Sequence, residues 1–300
     1  MTETASVEQI PSGNSTVAPA KIAAESVPMS FIRVLGSPYL RTTALRCIAA
    51  IFRHFFLAQY RAAFLPGLIP VSRADHPLDV RIPFWPGKVT IYLDFVAFWI
   101  RCLGFILRVH GRRGLEPARH FIETMGQVYG QAAEVYQKHL STTDRPFYIA
   151  HPRFLPIHGL DPHLMCIPSL HVMVVIRTYT AFRKIFETLA REDTAPLSEE
   201  LYWGAIAITE AVLYIKQHSV NCLPAAMYSM TSFDPGLFPP EEVERFTADL
   251  FINENVPGKE DAEEIRQHIL FLYRRFLAEG KTAENWTKPL LDFLKELPPK

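Results

Sequence analysis

Residues 89–107 read VTIYLDFVAFWIRCLGFIL, a run apolar enough to suggest a membrane span except for Asp94 and Arg101. A bilayer crossing needs about 20 mostly apolar residues, and a charge near its centre costs roughly 2.5–3.5 kcal/mol. The two charges make this a poor span and a good buried or amphipathic helix of a globular bundle. Other apolar stretches are interrupted in the same way: 42–70 carries Arg46, Arg53 and Arg61, and 201–215 carries Glu210. The bundle is the preferred reading, and contact with a membrane surface stays open beside it. Arg46, Arg53 and Arg61 lie near one helical face, with Phe52, Phe55, Phe56 and Leu57 largely elsewhere, which suits an interfacial helix as well as a packed one.

Working outward, the periodicity predicts helices over about 42–65, 89–109, 117–139, 171–190, 198–216, 222–230, 260–278 and 284–296. Ser198, followed by Glu199 and Glu200, reads as an N-cap with acids in the positive first turn. No β-branched alternation is long enough to demand a sheet, so the fold class is all-α. Residues 1–30, rich in Ser, Thr, Ala, Pro and Glu, are expected to form a disordered tail. A helical core follows over 31–233. Residues 234–300 are expected to be a connector with one short helix, then amphipathic helices, with Ile265, Ile269, Leu272 and Phe276 as an apolar stripe.

The 300 residues are 49% hydrophobic, with 31 Lys and Arg against 31 Asp and Glu, so the chain is no globally basic nucleic-acid binder. Cys47, Cys102, Cys166 and Cys222 form no CxxC pair, and reduced thiols are expected. Residues 1–28 lack a cationic start followed by an apolar run, so no secretory signal is read, and a cytoplasmic or membrane-associated location is expected.

Three places can carry chemistry. Lys138 and Arg145, seven apart and closed by Pro146, can clamp the oxygens of one phosphate, although cations at a helix end ordinarily just complement its dipole. Pro168-Ser169-Leu170-His171 opens a helix, where backbone N–H groups and a hydroxyl favour an anion and a histidine can protonate a leaving oxygen; alone, His171 is an ordinary capping or core histidine. Lys216-Gln217-His218-Ser219 ends a helix, and a histidine beside a cation can attack phosphorus, although most such histidines are structural.

In this order, Lys138-x6-Arg145-Pro146, then Pro168-Ser169-Leu170-His171, then His218 resembles the type 2 phosphatidic acid phosphatase superfamily. That group also holds the class A acid phosphatases, the vanadium haloperoxidases and the sphingolipid synthase relatives. The resemblance spans about 89–230, with Leu170 as in the Pro-Ser-Leu-His branch. It decays at the third motif, where Ala211 and Val212 stand for Ser-Arg and Cys222 for Asp. It implies a helical bundle of that type with a helical C-terminal extension. Lys138, Arg145 and Ser169 would bind phosphate, His171 would protonate the leaving group, and His218 would carry a phosphohistidine, with no metal and no cofactor.

The missing carboxylate bears on turnover, since losing the equivalent group in a serine-protease triad costs about 10⁴ in kcat. Asn221, Glu210, Lys216 and Cys222 are the candidates for support, and the sequence places none of them beside His218. The expected activity is therefore hydrolysis or transfer of a phosphomonoester, lipid phosphate included. The alternative is a decayed relative that binds a phosphorylated ligand or a protein partner without turnover. Vanadate-dependent oxidation ranks below both, for want of the third-motif arginine. His151, His158, His163 and His171 with Asp161 match no metal-ligand spacing and read as polarity at the rim of the site.

Overall fold

The helix that begins at Val89 organises the molecule. In this computed structural model, which describes residues 21–189, 194–253 and 256–300, α1 (Val27–Gly36), α2 (Pro38–Ile51) and α3 (Ala58–Phe64) precede α4 (Val89–His110). A π-helical turn, Phe52–Leu57, joins α2 to α3. Phe98, Ile100, Leu103 and Ile106 of α4 are buried against α1, α8 (Ala195–Tyr214) and α7 (Leu170–Leu189). Asp94 and Arg101, the charges that interrupt its apolar run, sit two turns apart and form a two-pronged ion pair, with one N–O contact of 2.9 Å. The segment Pro86–Tyr136 is long and apolar enough by composition to cross a membrane, yet 56% of its most apolar window is buried inside the protein. A core helix meets the same criterion.

The remaining helices are α5 (Leu115–Tyr136), α6 (Phe154–Leu160), α9 (Cys222–Phe233), α10 (Pro240–Ala248), α11 (Lys259–Gly280) and α12 (Lys288–Glu296). The described residues are thus all-α apart from one short parallel pair, β1 (Val71–Arg73) with β2 (Leu140–Thr142), in the register Val71–Leu140 to Arg73–Thr142. This pair matters for the site. Ser141 accepts from Ile167 N at 2.7 Å and from Cys166 N at 3.2 Å, and its own N–H donates to Leu164 O at 3.1 Å, so β2 pins the segment leading into α7.

Two expectations are corrected. Residues 1–20 of the expected tail lie outside the described residues, but 21–30 are folded: Ile22 is buried, and its N–H and that of Ala23 are held by the Glu200 carboxylate, the former at 3.1 Å. Ser198 is not a cap. Its helix starts at Ala195, because a proline in the first turn already has helical φ and no N–H to satisfy, and Glu200 serves the N-terminal segment instead. The C-terminal helices pack on the body of the bundle. Ile265, Ile269, Leu272 and Phe276 belong to the same buried cluster as α7 and α8. The chain end then closes on β1, through Lys300 N to Val71 O at 2.9 Å and Arg73 N to Pro298 O at 2.7 Å.

The α1–α4 contact is tight enough to test. A Cβ on Gly104 would fall 1.8 Å from Ser30 Oγ and 3.3 Å from its Cα. Gly104→Ala is expected to destabilise the protein by about 1–3 kcal/mol through overpacking. Urea denaturation of Gly104→Ala, Ser30→Gly and the double variant checks this, with part of the loss recovered in the double.

Candidate active site

Two turns of backbone bring the histidines together. At the end of α8, Lys216 adopts φ 57°, a left-handed conformation uncommon for a residue with a side chain. Gln217 N and His218 N then both donate to Val212 O, at 3.0 and 3.2 Å. Asp79 secures the far side of the turn, accepting from Val220 N and His76 N at 2.8 Å each. His171, in the first turn of α7, lies beside the end of α8, and its Nδ1 is 3.3 Å from His218 Nε2. One ring must donate and the other accept. Tyr92 and Phe95 of α4 pack on the His171 ring, with centroids 4.5 and 4.3 Å away.

The pair borders a cavity of about 20 Å³, room for roughly one water, with Gln59, Tyr92, Asp161, His163, Cys166 and Gln217 among its lining. Asp161 is the hub. Its carboxylate accepts from Gln59 Nε2, from Arg145 at 3.2 Å and from His163 N at 2.8 Å. Arg145 also donates to Asp161 O at 2.8 Å and to Gln217 Oε1 at 3.1 Å. His163, itself at φ 57°, places Nδ1 3.8 Å from Asp161 and Nε2 2.7 Å from Thr143 Oγ1, with Cys166 Sγ 3.8 Å from Nε2.

Burial pushes His171 down to about 4, with the His163 cation adding to the effect and Asp161 opposing it. Burial also drives His218 well below the ordinary histidine range, helped by His171 and His163. His163 is opposite: burial would lower it, but Cys166 and Asp161 outweigh that and hold it up at about 9. The Asp161 carboxyl, which burial alone would raise, is kept well below the usual carboxylate range by His163 and Arg145. At neutral pH the His171–His218 pair is therefore uncharged, beside a charged Asp161–His163 pair.

Of the residues expected here, His171, His218 and Arg145 are brought together. Ser169 lies fully buried immediately before α7, its Oγ without a partner. Lys138 is not part of the site: α5 ends at Tyr136, the turn leaves Lys138 exposed, and its neighbour His139 turns inward to Ser72 Oγ at 2.8 Å. None of the four compensating residues supplies the lost carboxylate. The Glu210 carboxylate accepts from Phe251 N, Asn221 bonds Ala74 O and His268, and Lys216 donates to the Asp79 and Ile82 carbonyls. Cys222 is a buried thiol that burial pushes up and so keeps neutral. Among the described residues no carboxylate is hydrogen-bonded to His218. The Cys166 backbone favours its charged form, but Nδ1 makes no hydrogen bond of normal geometry.

Asp161 and His163 are more than rim polarity, whereas His151 and His158 accept from the backbone of Arg153 and Tyr148 and stand apart. Gln217, quoted in the third motif without a role, and Gln59, absent from every motif, both belong to the site. The first stands next to His218 in sequence; for the second there was no local signal, since it reaches Asp161 from 102 positions away. Among the described residues no three His, Cys, Asp or Glu side chains are grouped to hold a metal ion. Outside the cavity, Arg145 also lines an open groove of about 880 Å³ together with Arg73, Asp79, Asp144 and Lys216.

These shifts set a pH dependence. His171 and His218 titrate lower folded than unfolded, so below about pH 6.5 the unfolded chain takes up protons that the folded one refuses. Stability is expected to fall from pH 6.5 toward 4, less steeply in His171→Phe. His163 titrates higher folded than unfolded, so its contribution is full below about 6.5 and is lost as pH rises through 9. Urea midpoints across pH 4–9 for wild type, His171→Phe and His163→Gln check both limbs. Comparisons of the chain with protein-family models, curated proteins and solved structures found no match.

Proposed function

We propose that this protein binds a phosphomonoester, lipid phosphates included, at the His171–His218 pair and turns it over through His218, in a bundle of the phosphatidic acid phosphatase type. The observation that carries the reading is the 3.3 Å approach of two histidines 47 positions apart, in the motif order that pairs an acid with a nucleophile. Arg145 reinforces it, bonded to the residue adjoining His218. Buried polar atoms point the same way. Ser169 Oγ at the start of α7 and Gln217 Nε2 make no hydrogen bond, and leaving such buried atoms unpaired costs about 1–3 kcal/mol each.

In the first step His218 Nε2 forms a bond to phosphorus as the ester P–O bond breaks, and the leaving oxygen takes a proton from His171. In the second, water or an acceptor alcohol attacks phosphorus, the P–N bond breaks, and the proton returns to His171. The bound phosphate raises the proton affinity of His171, which takes up the proton it later donates, while His218 stays neutral and keeps its Nε2 lone pair for attack. The rings must part to admit it, since the cavity holds only about 20 Å³. Turnover is expected to be slow, because nothing orients His218 as a carboxylate would.

That deficit, with Lys138 in solvent, favours a second reading in which phosphate is held without turnover. Hydrolysis of p-nitrophenyl phosphate by the purified protein and by His218→Ala separates the two. Catalysis predicts a loss of at least roughly 10²-fold in His218→Ala and a change of less than about twofold in Lys138→Ala, which lies outside the site. Vanadate binding by the wild type without hydrolysis would assign the holding role. Neither binding nor hydrolysis would reject both readings.

A further inference from the structure

Two segments of the chain carry ten of the exposed large apolar side chains. Phe52, Phe56 and Leu57 on the π-helical turn, Phe64 at the end of α3, and Leu65 and Leu68 beyond it are all exposed, Phe64 by 78%. A second segment continues the patch, with Phe147 79% exposed and Ile149, Leu155 and Leu160 exposed as well. The two segments are tied together where Tyr60 Oη donates to Leu160 O at 2.8 Å and Gln59 donates to Asp161. Soluble proteins rarely leave so much contiguous apolar surface uncovered, and such patches mark interaction sites.

Charge decides what the surface suits. Residues 26–74 contain six arginines and no Asp or Glu, and residues 145–160 likewise contain no acid. Arg33, Arg41 and Arg73 are occupied within the fold. Arg46, Arg53 and Arg61 are exposed and have no ion-pair partner among the described residues, in a protein whose other arginines are extensively paired. Exposed phenylalanines and leucines interleaved with unpaired arginines are the composition of an element that lies in the plane of a bilayer surface and is attracted by anionic lipids. An apolar protein partner would be served by the phenylalanines alone, and a second copy of the chain would set these arginines against one another.

We infer that the surface formed by α2, the π-helical turn, α3 and residues 147–160 docks on an anionic lipid bilayer, with the phenylalanines in the interface and Arg46, Arg53 and Arg61 at headgroup level. The element that docks also roofs the histidine cavity, because Phe55 and Gln59 line it from the same turn and helix. Docking therefore brings the His171–His218 pair next to the headgroup layer. It also bears on the one part of the wall that comes from a short, solvent-facing segment. The inference stands on exposure and charge, and does not depend on the phosphate reading.

Co-sedimentation with vesicles tests it, using phosphatidylcholine alone and phosphatidylcholine mixed with phosphatidylserine, a lipid without a phosphomonoester. The full chain is expected to bind the mixed vesicles, and less as ionic strength rises. Phe52→Ser, Phe56→Ser and Phe64→Ser combined should weaken binding roughly tenfold or more. Arg53→Gln and Arg61→Gln should each cost about fivefold. Phe271→Ser, exposed on α11 away from the patch, should leave binding unchanged, as should His218→Ala, so failure here and failure of the phosphate reading are told apart. The altered phenylalanines and arginines are exposed, His218 alone is buried, and circular dichroism checks that every variant remains folded. Absence of sedimentation with either vesicle, or binding that survives the triple serine variant, overturns the proposal. A concentration-dependent dimer abolished by Phe64→Ser would also overturn it, assigning the face to a second copy.

Discussion

A half-buried carboxylate is held by the cations and donors around it, and the arrangement around Asp161 follows from that requirement. Its neutralising partners come from distant parts of the chain: Arg145 just after β2, His163 at a left-handed turn, and Gln59 from α3. Each partner is then committed. Arg145 has a further donor that reaches Gln217, fixing the residue before His218, and His163 stays charged beside a pair of histidines that burial keeps neutral. The cavity is thus a small space between a charged half and an uncharged half, and it is the charged half that determines where the walls stand.

The bundle delivers these groups by ordinary packing. α7 and α8 lie side by side, so that the start of one meets the end of the other, and the short β1–β2 pair holds the approach to α7 through Ser141. The C-terminal helices close the far side against β1. Asp94 and Arg101 satisfy each other on α4, which lets a helix of nearly membrane-like composition serve as a core element. The same economy is absent from the face built on α2 and α3, where arginines and phenylalanines both remain exposed.

The long helices were legible because burial of one face imposes a period, and composition sufficed to place α4, α7, α8 and α11 within a few residues. The stripe Ile265, Ile269, Leu272 and Phe276 is buried as its spacing requires. The folding of residues 21–30 was not legible: too few large apolar groups lie there, and the segment is held by Glu200 from 177 or more positions away. Lys138 and Arg145 looked equivalent as a spaced pair. Their fates differ because a helix end sets direction, and only the packed fold decides which side chain turns to solvent.

By itself, then, the sequence determined the helical class, the apolar faces and the three short segments that carry His171, His218 and Arg145, since each depends on local periodicity or on residue type. Only the tertiary structure decided that the two histidines touch, that Asp161 rather than Glu210 or Asn221 is the organising polar group, and that Lys138 stands outside. Those outcomes depend on how buried charges find partners across long separations. Coulomb and desolvation energies are set by distance and burial in three dimensions, and neither is written in the spacing of residues along the chain.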